Sequence, residues 1–172
     1  VVGRDNGYYT WVIKDDEIAN GDAPIYNENY FAPYEEIDQK YAYLFTYHSM
    51  DIDESQLTPE LQHIYNTYIT DVISQTIDID FDGSLSSEEH KKKIAQVLDE
   101  AVDGLIAEIE KHIDAARFEE LQVNHEIWLA DRYQYTNEWA HAFGTYDEEQ
   151  FYRAYKNATE DYLARLFYQY LY

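Results

Sequence analysis

The second half of this sequence contains a long apolar stripe with helical spacing, which limits the folds that the chain can adopt. The stripe residues recur every three or four positions, which places them on one face of an α-helix. They are Ile94, Val97, Leu98, Ala101, Leu105, Ile109 and Ile113. Shorter stripes with the same spacing occur on both sides of this segment. The sequence therefore predicts the all-α fold class, with residues 1–172 in a single mainly helical domain.

Helix start signals divide this domain into separate helices. Thr58 followed by Pro59 is a typical start, because threonine caps the first turn and proline is tolerated at the first helical position. Asn124 is predicted to cap a later helix, and Thr145 opens a capping box that ends at Glu148. We expect a helix–loop–helix over residues 59–112 and C-terminal helices over residues 113–172.

The first 32 residues differ from the rest and are predicted to form an extended arm or loop. Asp5, Asn6 and Gly7 are a turn signal, and the aromatic and β-branched run over residues 8–13 suits a short strand. From Pro33 onward helical spacing returns, and the acidic residues that follow favour a helix. A strand is the alternative for the next segment, where aromatic residues alternate at Tyr41, Tyr43, Phe45 and Tyr47.

The overall charge is strongly negative, with 35 acidic and 12 basic residues and a formal net charge of −23. Such a charge disfavours nucleic acid and anionic membranes, and it favours cations, basic protein partners or a salty environment. The chain is not a disordered acidic tail, because 45% of it is hydrophobic and 19 residues are tyrosine. Cysteine is absent, which excludes disulfides and thiolate metal sites. No apolar run approaches the roughly 20 residues of a membrane-spanning helix, so we expect no membrane insertion.

The start of the chain suggests processing. It begins at Val1 rather than at methionine, which indicates removal of an upstream segment, either a signal peptide or a tag. We therefore expect a secreted or extracytoplasmic protein.

The strongest functional signal is the acidic stretch DIDFDGSLSSEE at residues 78–89. Three aspartates alternate with apolar residues, Gly83 follows them, and a glutamate closes the stretch. A hard cation takes about six to eight oxygen ligands, and alternate side chains of a tight loop converge on its inside. Carboxylate and carbonyl oxygens favour calcium, with magnesium a weaker competitor.

In its spacing this stretch resembles the calcium-binding loop of the EF-hand family. The resemblance implies Ca²⁺ as the cofactor and a turn at Gly83 that a Cβ would obstruct. It also implies that Glu89 supplies both carboxylate oxygens, that Ser84 binds through its carbonyl and that Ser86 binds directly or through water. The complete implied ligand set is Asp78, Asp80, Asp82, Ser84, Ser86 and Glu89.

A different interpretation of the stretch remains open. Ser86 and Glu89 also have the spacing of a capping box, so Glu89 can act as a helix cap alone. The aspartates can form a solvated turn, since acidic residues are abundant throughout the chain. EF-hand loops usually occur in pairs, and the weak candidates for a second loop begin at Asp51 and Trp139. We interpret both candidates as ordinary capped helix starts.

These features predict a non-enzymatic calcium-binding protein in which one EF-hand loop stabilises or switches a helical domain. A structural or buffering role fits better than a sensor role, because Met50 is the one methionine and no methionine-rich groove can form. One alternative is an acidic mimic of nucleic acid that binds a basic DNA-binding partner. A remote alternative is a ferritin-like di-iron bundle, suggested by two Glu-x-x-His motifs, Glu60–His63 and Glu138–His141.

Overall fold

The computed structural model describes residues 2–5, 8–11, 32–45 and 52–172. By its internal contacts the chain divides into two compact units, Val1–Pro33 and Tyr34–Tyr172. The second unit is built from helices, which confirms the all-α fold class predicted from the sequence. Most of the predicted N-terminal arm lies outside the described residues.

The N-terminal unit contains a β-hairpin. Strands β1 (Val2–Asp5) and β2 (Tyr8–Trp11) pair antiparallel, with Asp5 opposite Tyr8 and Val2 opposite Trp11. The predicted strand therefore begins directly after the turn signal. Its last two predicted residues, 12 and 13, lie outside the described part of the chain.

Helix α1 (Ala32–Lys40) follows, and a 3-10 turn (Ala42–Leu44) continues it. Over residues 32–45 the segment is thus helical, as the acidic residues near its start favoured, and the end of the alternative strand at Tyr47 lies outside the described residues. Asp38 ties α1 to the C-terminal half of the chain. One of its carboxylate oxygens accepts hydrogen bonds from Trp139 Nε1 at 2.7 Å and from the Tyr135 hydroxyl at 3.0 Å.

A continuous helical stretch begins at the predicted start, Thr58. The Thr58 side chain accepts a hydrogen bond from the Leu61 amide, and Pro59 is the first helical residue, as predicted. The stretch consists of α2 (Pro59–Tyr65), a wider π-helical turn (Asn66–Thr70) and α3 (Asp71–Asp80). It is the first half of the predicted helix–loop–helix.

Helix α4 (Ser87–Ile109) is the second half of this helix–loop–helix and carries the long apolar stripe. Five stripe residues are buried, namely Ile94, Leu98, Ala101, Leu105 and Ile109. The helix ends at the last of these, so Ile113 lies beyond it. A Cβ added to Gly104 would lie 2.6 Å from Cε1 of Tyr68 in the π-helical turn, so glycine permits the close approach of these two segments.

The last two helices begin at caps other than those predicted. Helix α5 (Ala115–Ala140) starts after Asp114, whose side chain accepts from the Arg117 amide, so the prediction of a cap at Asn124 is wrong. Helix α6 (Glu148–Tyr170) starts after Asp147, two residues later than the predicted cap at Thr145. In both cases an aspartate occupies the cap, where its negative charge also interacts favourably with the helix dipole.

Helix α6 packs against both α4 and α5, and α3 packs against α4. Ala154 and Ala158 are fully buried in α6 and let the neighbouring helices approach closely. Leu163 and Phe167 are also fully buried and continue this core towards the C-terminus. Within the described ranges, every helix is too short or too polar to cross a membrane.

The tyrosines divide between the core and the surface. Among the tyrosines whose side chains the structure describes, five are buried, namely Tyr34, Tyr41, Tyr65, Tyr135 and Tyr162. Others are exposed, including Tyr43, Tyr133, Tyr146, Tyr168 and Tyr172. The abundance of tyrosine is therefore explained in part by packing between helices.

Candidate metal centre

The acidic stretch 78–89 lies at the turn between α3 and α4. Helix α3 continues through Asp80, and α4 begins at Ser87 with Ser86 as its N-cap. Residues 81–86 form the loop between them. The predicted helix–loop–helix is present, but its loop begins later than the EF-hand spacing implies.

Asp78 and Asp80 belong to the last turn of α3. Side chains two positions apart on a helix point in directions that differ by about 160°. These two carboxylates therefore do not converge on one point in this conformation. Asp80 Oδ2 instead lies 2.6 Å from Nζ of Lys156 in α6. The Asp80 and Lys156 side chains are 44% and 23% exposed, so the ion pair contributes at most about 1 kcal/mol.

Asp82 organises the loop through contacts with neighbouring residues. Its Oδ1 accepts hydrogen bonds from the Ser84 amide at 2.9 Å and from the Ser84 hydroxyl at 2.6 Å. These bonds, the hydroxyl bond first, lower the pKa of Asp82 because they stabilise the ionised carboxylate. His90 Nε2 lies 2.8 Å from the carbonyl oxygen of Asp82. Together these contacts connect the loop to the first turns of α4.

Ser86 and Glu89 form the capping box that the sequence left open as an alternative. The Ser86 hydroxyl accepts a hydrogen bond from the Glu89 amide at 3.3 Å. In return, Glu89 Oε2 accepts from the Ser86 amide at 2.8 Å and from the Ser86 hydroxyl at 2.7 Å. These bonds, the amide bond first, lower the pKa of Glu89. Glu89 can therefore offer both carboxylate oxygens to an ion only after its hydrogen bonds from Ser86 are broken.

Gly83 does not have the role that the EF-hand resemblance implied. Among the described glycines the positive φ occurs at Gly144, and a Cβ on Gly83 would meet no atom within 4 Å. The expectation that a side chain would obstruct this turn is therefore wrong. The reversal of the chain is made by the end of α3 and by the turn between Asp82 and Ser84, so a left-handed glycine is not required.

The predicted ligands are neighbours in sequence but are not gathered around one point. In the described part of the chain, no three histidine, cysteine, aspartate or glutamate side chains lie close enough to hold a metal ion together. Five of the predicted ligands make separate contacts instead. Asp80 pairs with Lys156, which is not a predicted ligand, Asp82 bonds to Ser84, and Ser86 bonds to Glu89. Metal binding at this turn would require a local rearrangement.

The two weak candidates for a second loop are capped helix starts over the residues that are described. Asp53 caps a short 3-10 helix (Glu54–Gln56) by accepting from the Ser55 amide, and Asp147 caps α6. Asp51 itself lies outside the described residues. These observations agree with the interpretation made from the sequence.

The two Glu-x-x-His motifs lie at helix ends. Glu60 is in the first turn of α2, and His141 follows the end of α5, where its Nδ1 contacts the Asn137 carbonyl oxygen at 2.8 Å. Glu138 accepts from Lys40 Nζ at 2.5 Å and from the Tyr41 hydroxyl at 2.7 Å. A di-iron centre uses inward-facing residues along the middle of a bundle, and these positions differ from that arrangement.

The structure also contains a polar cluster that the sequence did not reveal, in which a buried arginine meets the half-exposed carboxylate of Asp99. Arg132 is 9% exposed, and its Nη1 donates to Asp99 Oδ1 and to Thr159 Oγ1, each at 3.0 Å. The guanidinium lies 4.2 Å from the ring centroid of Tyr155 and 4.6 Å from that of Trp128. The Tyr155 hydroxyl donates to the Asp99 carboxylate at 2.6 Å. We call these residues the Arg132 cluster: Arg132, Asp99, Tyr155, Thr159 and Trp128.

One signal in the sequence could have located this cluster. Arg132 interrupts a buried stripe on α5, since Trp128, Tyr135 and Trp139 lie on the same face of that helix. A charged residue within such a stripe needs a buried partner. The partners themselves are on α4 and α6, which no local pattern in the sequence indicates.

The helices from α1 to α6 form an acidic domain with a carboxylate-rich helix–loop–helix between α3 and α4. No family model, curated protein or solved structure matches the chain. The resemblance to the EF-hand family therefore depends on residues 78–89 and their flanking helices. Any proposal of function has to rest on the contacts of these residues.

Proposed function

We propose that this protein is a non-enzymatic calcium-binding protein whose ion binds at residues 78–89. The observation that carries the proposal is that the acidic spacing coincides with a helix–loop–helix. The proposed ligands within this one turn of the chain are four carboxylates and two serines: Asp78, Asp80, Asp82, Glu89, Ser84 and Ser86. The net charge of −23 adds a favourable potential for a divalent cation.

Calcium binding at this turn requires a change at the end of α3. Asp78 and Asp80 must leave their helical geometry before their carboxylates can point to one ion. The last turn is where such a change costs least, because helix ends fray and their carbonyl groups have no partners within the helix. Asp80 would also leave Lys156, and Glu89 would leave the Ser86 amide.

The expected affinity follows from the interactions that this change breaks. A partly exposed ion pair and half of a capping box contribute about 1 kcal/mol each, and breaking both lowers the affinity about thirtyfold. The affinities of helix–loop–helix calcium sites extend down to dissociation constants of about 10⁻⁴–10⁻³ M. We expect this site to lie at that weak end, which suits a structural or buffering role in a calcium-rich extracytoplasmic setting.

Calorimetric titration with calcium tests the proposal by comparing two neighbouring glutamates. Glu89→Gln retains the size and capping ability of the side chain but removes its charge and bidentate oxygen pair. Glu88→Gln makes the same charge change at a residue that pairs with Lys92 at 2.5 Å and is not a proposed ligand. We expect a loss of at least about tenfold in calcium affinity for Glu89→Gln, about 1.4 kcal/mol, and less than about twofold for Glu88→Gln.

Two outcomes would contradict the proposal. Equal calcium affinities of the wild type and Glu89→Gln would leave Glu89 as a helix cap alone. Equal losses in Glu89→Gln and Glu88→Gln would mean that calcium responds to the general negative charge instead of to a defined set of ligands. Thermal melts in chelator serve as the folding control, because glutamine still caps the helix and both variants should melt close to the wild type.

A further inference from the structure

A cleft of 440 Å³ lies beside the proposed calcium loop, lined by the end of α3 and the first turns of α4 and α6. Its volume is within the range of about 300–1,000 Å³ that ligand pockets occupy. The lining contains two carboxylates, Asp80 and Glu149, but more basic side chains, although the whole chain has 12 lysine and arginine residues against 35 acidic ones. The basic side chains are Lys91, Arg153, Lys156 and His90. Basic side chains are therefore concentrated here in an otherwise acidic protein, which makes the cleft a candidate site for an anion.

The three permanent cations of the cleft differ in how firmly they are held. Lys91 Nζ lies 3.2 Å from Glu148 and 3.1 Å from Glu149, and its side chain is 14% exposed. Lys156 is paired with Asp80, which is itself a proposed calcium ligand. Arg153 is exposed, and no ion pair to it occurs among the described residues. Arg153 and Lys156 are therefore the cations that a ligand can reach at the least cost.

Asp80 connects the cleft to the calcium loop. While it contacts Lys156 it neutralises one of the positive charges that line the cleft. As a calcium ligand it would have to turn towards the loop, and the ammonium group of Lys156 would then face the cleft without this partner. Calcium and an anion in the cleft would therefore favour the same local conformation.

We propose that the cleft between α4 and α6 binds a small phosphate monoester through Lys156 and Arg153, and that calcium strengthens this binding by drawing Asp80 away from Lys156. The coupling rests on the proposed calcium function, whereas the cleft does not. Ammonium and guanidinium groups are well suited to a phosphate dianion, and Ile94 and Tyr152 line the same cleft, where they offer apolar surface to an ester group. By linkage, the ester must strengthen calcium binding by the same factor.

Calorimetric titration with phenyl phosphate, in chelator and in saturating calcium, measures both parts of this proposal. We expect calcium to tighten the binding of phenyl phosphate to the wild type by about threefold to fivefold, since a partly exposed ion pair is the contact removed. Phenol has the same ring without the dianion and should show no measurable binding.

Three variants assign the effect to the Asp80–Lys156 pair. Asp80→Asn weakens the pair with Lys156 even when calcium is absent. In chelator this variant should therefore bind phenyl phosphate about threefold to fivefold more tightly than the wild type. Calcium should not tighten its binding further. Asp82→Asn is the matched control, because it removes the same charge from a side chain that bonds to Ser84. It should keep the wild-type affinity in chelator. Lys156→Met should lose at least about tenfold in both conditions.

The possible failures are distinguishable. Absence of binding to both the wild type and Asp80→Asn overturns the proposed site, and so does unchanged binding to a folded Lys156→Met variant. If calcium binds but leaves the affinity for phenyl phosphate unchanged, the coupling is wrong and the calcium function stands. If calcium does not bind, the proposed function and the coupling both fail, and the comparison of Asp80→Asn with Lys156→Met still decides the cleft.

Discussion

The Arg132 cluster and the acidic stretch 78–89 are both rich in charge, but their charges are held in opposite ways. The hydrogen bonds of the Arg132 cluster join α4, α5 and α6, and their partners are 27, 33 and 56 residues apart in sequence. In the acidic stretch, Asp82 and Glu89 bond to residues two or three positions away. The first set of contacts exists only when the helices are assembled, whereas the second forms within one turn of the chain.

This difference indicates which charges a ligand can use. Removing a partner of Arg132 would leave its buried guanidinium short of a hydrogen bond, which is costly, although the Asp99 side chain is itself 51% exposed. Exchanging a partner in the acidic stretch exposes a carboxylate that already faces solvent. The Asp80–Lys156 pair is the contact through which the stretch reaches α6, and it is only partly buried. We therefore propose that the Arg132 cluster stabilises the fold and that an ion binds at the acidic stretch.

The largest effect should come from breaking the Arg132 cluster. Arg132→Met keeps most of the aliphatic stem but removes the donors to Asp99 and Thr159 and the cation between the two aromatic rings. We expect the free energy of unfolding, measured by urea denaturation, to fall by about 2 kcal/mol, because the buried hydrogen bonds of the guanidinium are lost while the Asp99 carboxylate that remains is 51% exposed.

An arginine on the same helix provides the control for this experiment. Arg117 is exposed and donates to the Gln169 carbonyl oxygen, so Arg117→Met should cost less than about 1 kcal/mol. Similar losses in Arg117→Met and Arg132→Met would mean that the Arg132 cluster is no more important to stability than a surface contact.

The second effect concerns the acidic stretch and the ion. Calcium at ten times its dissociation constant should add about 1.4 kcal/mol to the free energy of unfolding, which raises the melting temperature by about 4 °C. Calcium should stabilise Arg132→Met by a similar amount, because the cluster and the stretch make separate contacts. Thermal melts in chelator and in calcium provide the measurement. An unchanged melting temperature across the calcium titration would leave the stretch as a solvated turn.

Two glycines give a smaller contrast between packed and open parts of the helix–loop–helix. Gly104→Ala places a Cβ against the Tyr68 ring, and the strain exceeds the gain of about 1 kcal/mol that alanine normally brings within a helix. We expect a net loss of about 1 kcal/mol by urea denaturation. Gly83→Ala meets no atom and should stay within about 0.5 kcal/mol of the wild type. A larger loss of stability in Gly83→Ala than in Gly104→Ala would contradict the packing of α4 against the π-helical turn.

The smallest effect is a pH dependence at His125, which lies beside the Arg132 cluster. Its Nδ1 is 3.1 Å from the Tyr162 hydroxyl, its ring is stacked on that of Trp128, and burial lowers its pKa. Because the folded pKa lies below the unfolded value of about 6.5, stability is lost as the pH falls through 6.5 and then through the folded pKa.

A variant that cannot take up a proton isolates this contribution. His125→Gln should lose less stability than the wild type between pH 7.5 and pH 5.5, by less than about 1 kcal/mol. Urea denaturation at the two pH values measures the difference. An equal or larger loss in His125→Gln would show that folding does not lower the pKa of His125.

The parts of the fold that could be predicted from the sequence are those that depend on neighbouring residues. The apolar stripe of α4, the start at Thr58 and the possible capping box of Ser86 and Glu89 all reflect spacings of three or four residues. The predicted cap at Asn124 was wrong because Asp114, ten positions earlier, can also accept a hydrogen bond from a backbone amide at a helix start. Local propensity does not decide which of two good capping residues begins the helix.

The parts that could not be predicted depend on contacts between distant residues. The helical state of Asp80 accompanies its pairing with Lys156, which is 76 positions away in the sequence. Arg132 similarly finds its partners on two other helices. The spacing of residues 78–89 indicates which oxygens are available, whereas the packing of α3 and α6 decides where they point.

Backbone ¹³Cα chemical shifts with and without calcium show directly whether calcium uncoils the last turn of α3 and leaves the Arg132 cluster unchanged, as we propose. At saturating calcium, Asp78, Ile79 and Asp80 should lose the helical shifts that they show in chelator, while Asp99, Arg132 and Tyr155 keep theirs. Helical shifts that persist at residues 78–80 in calcium-saturated protein would contradict this proposal.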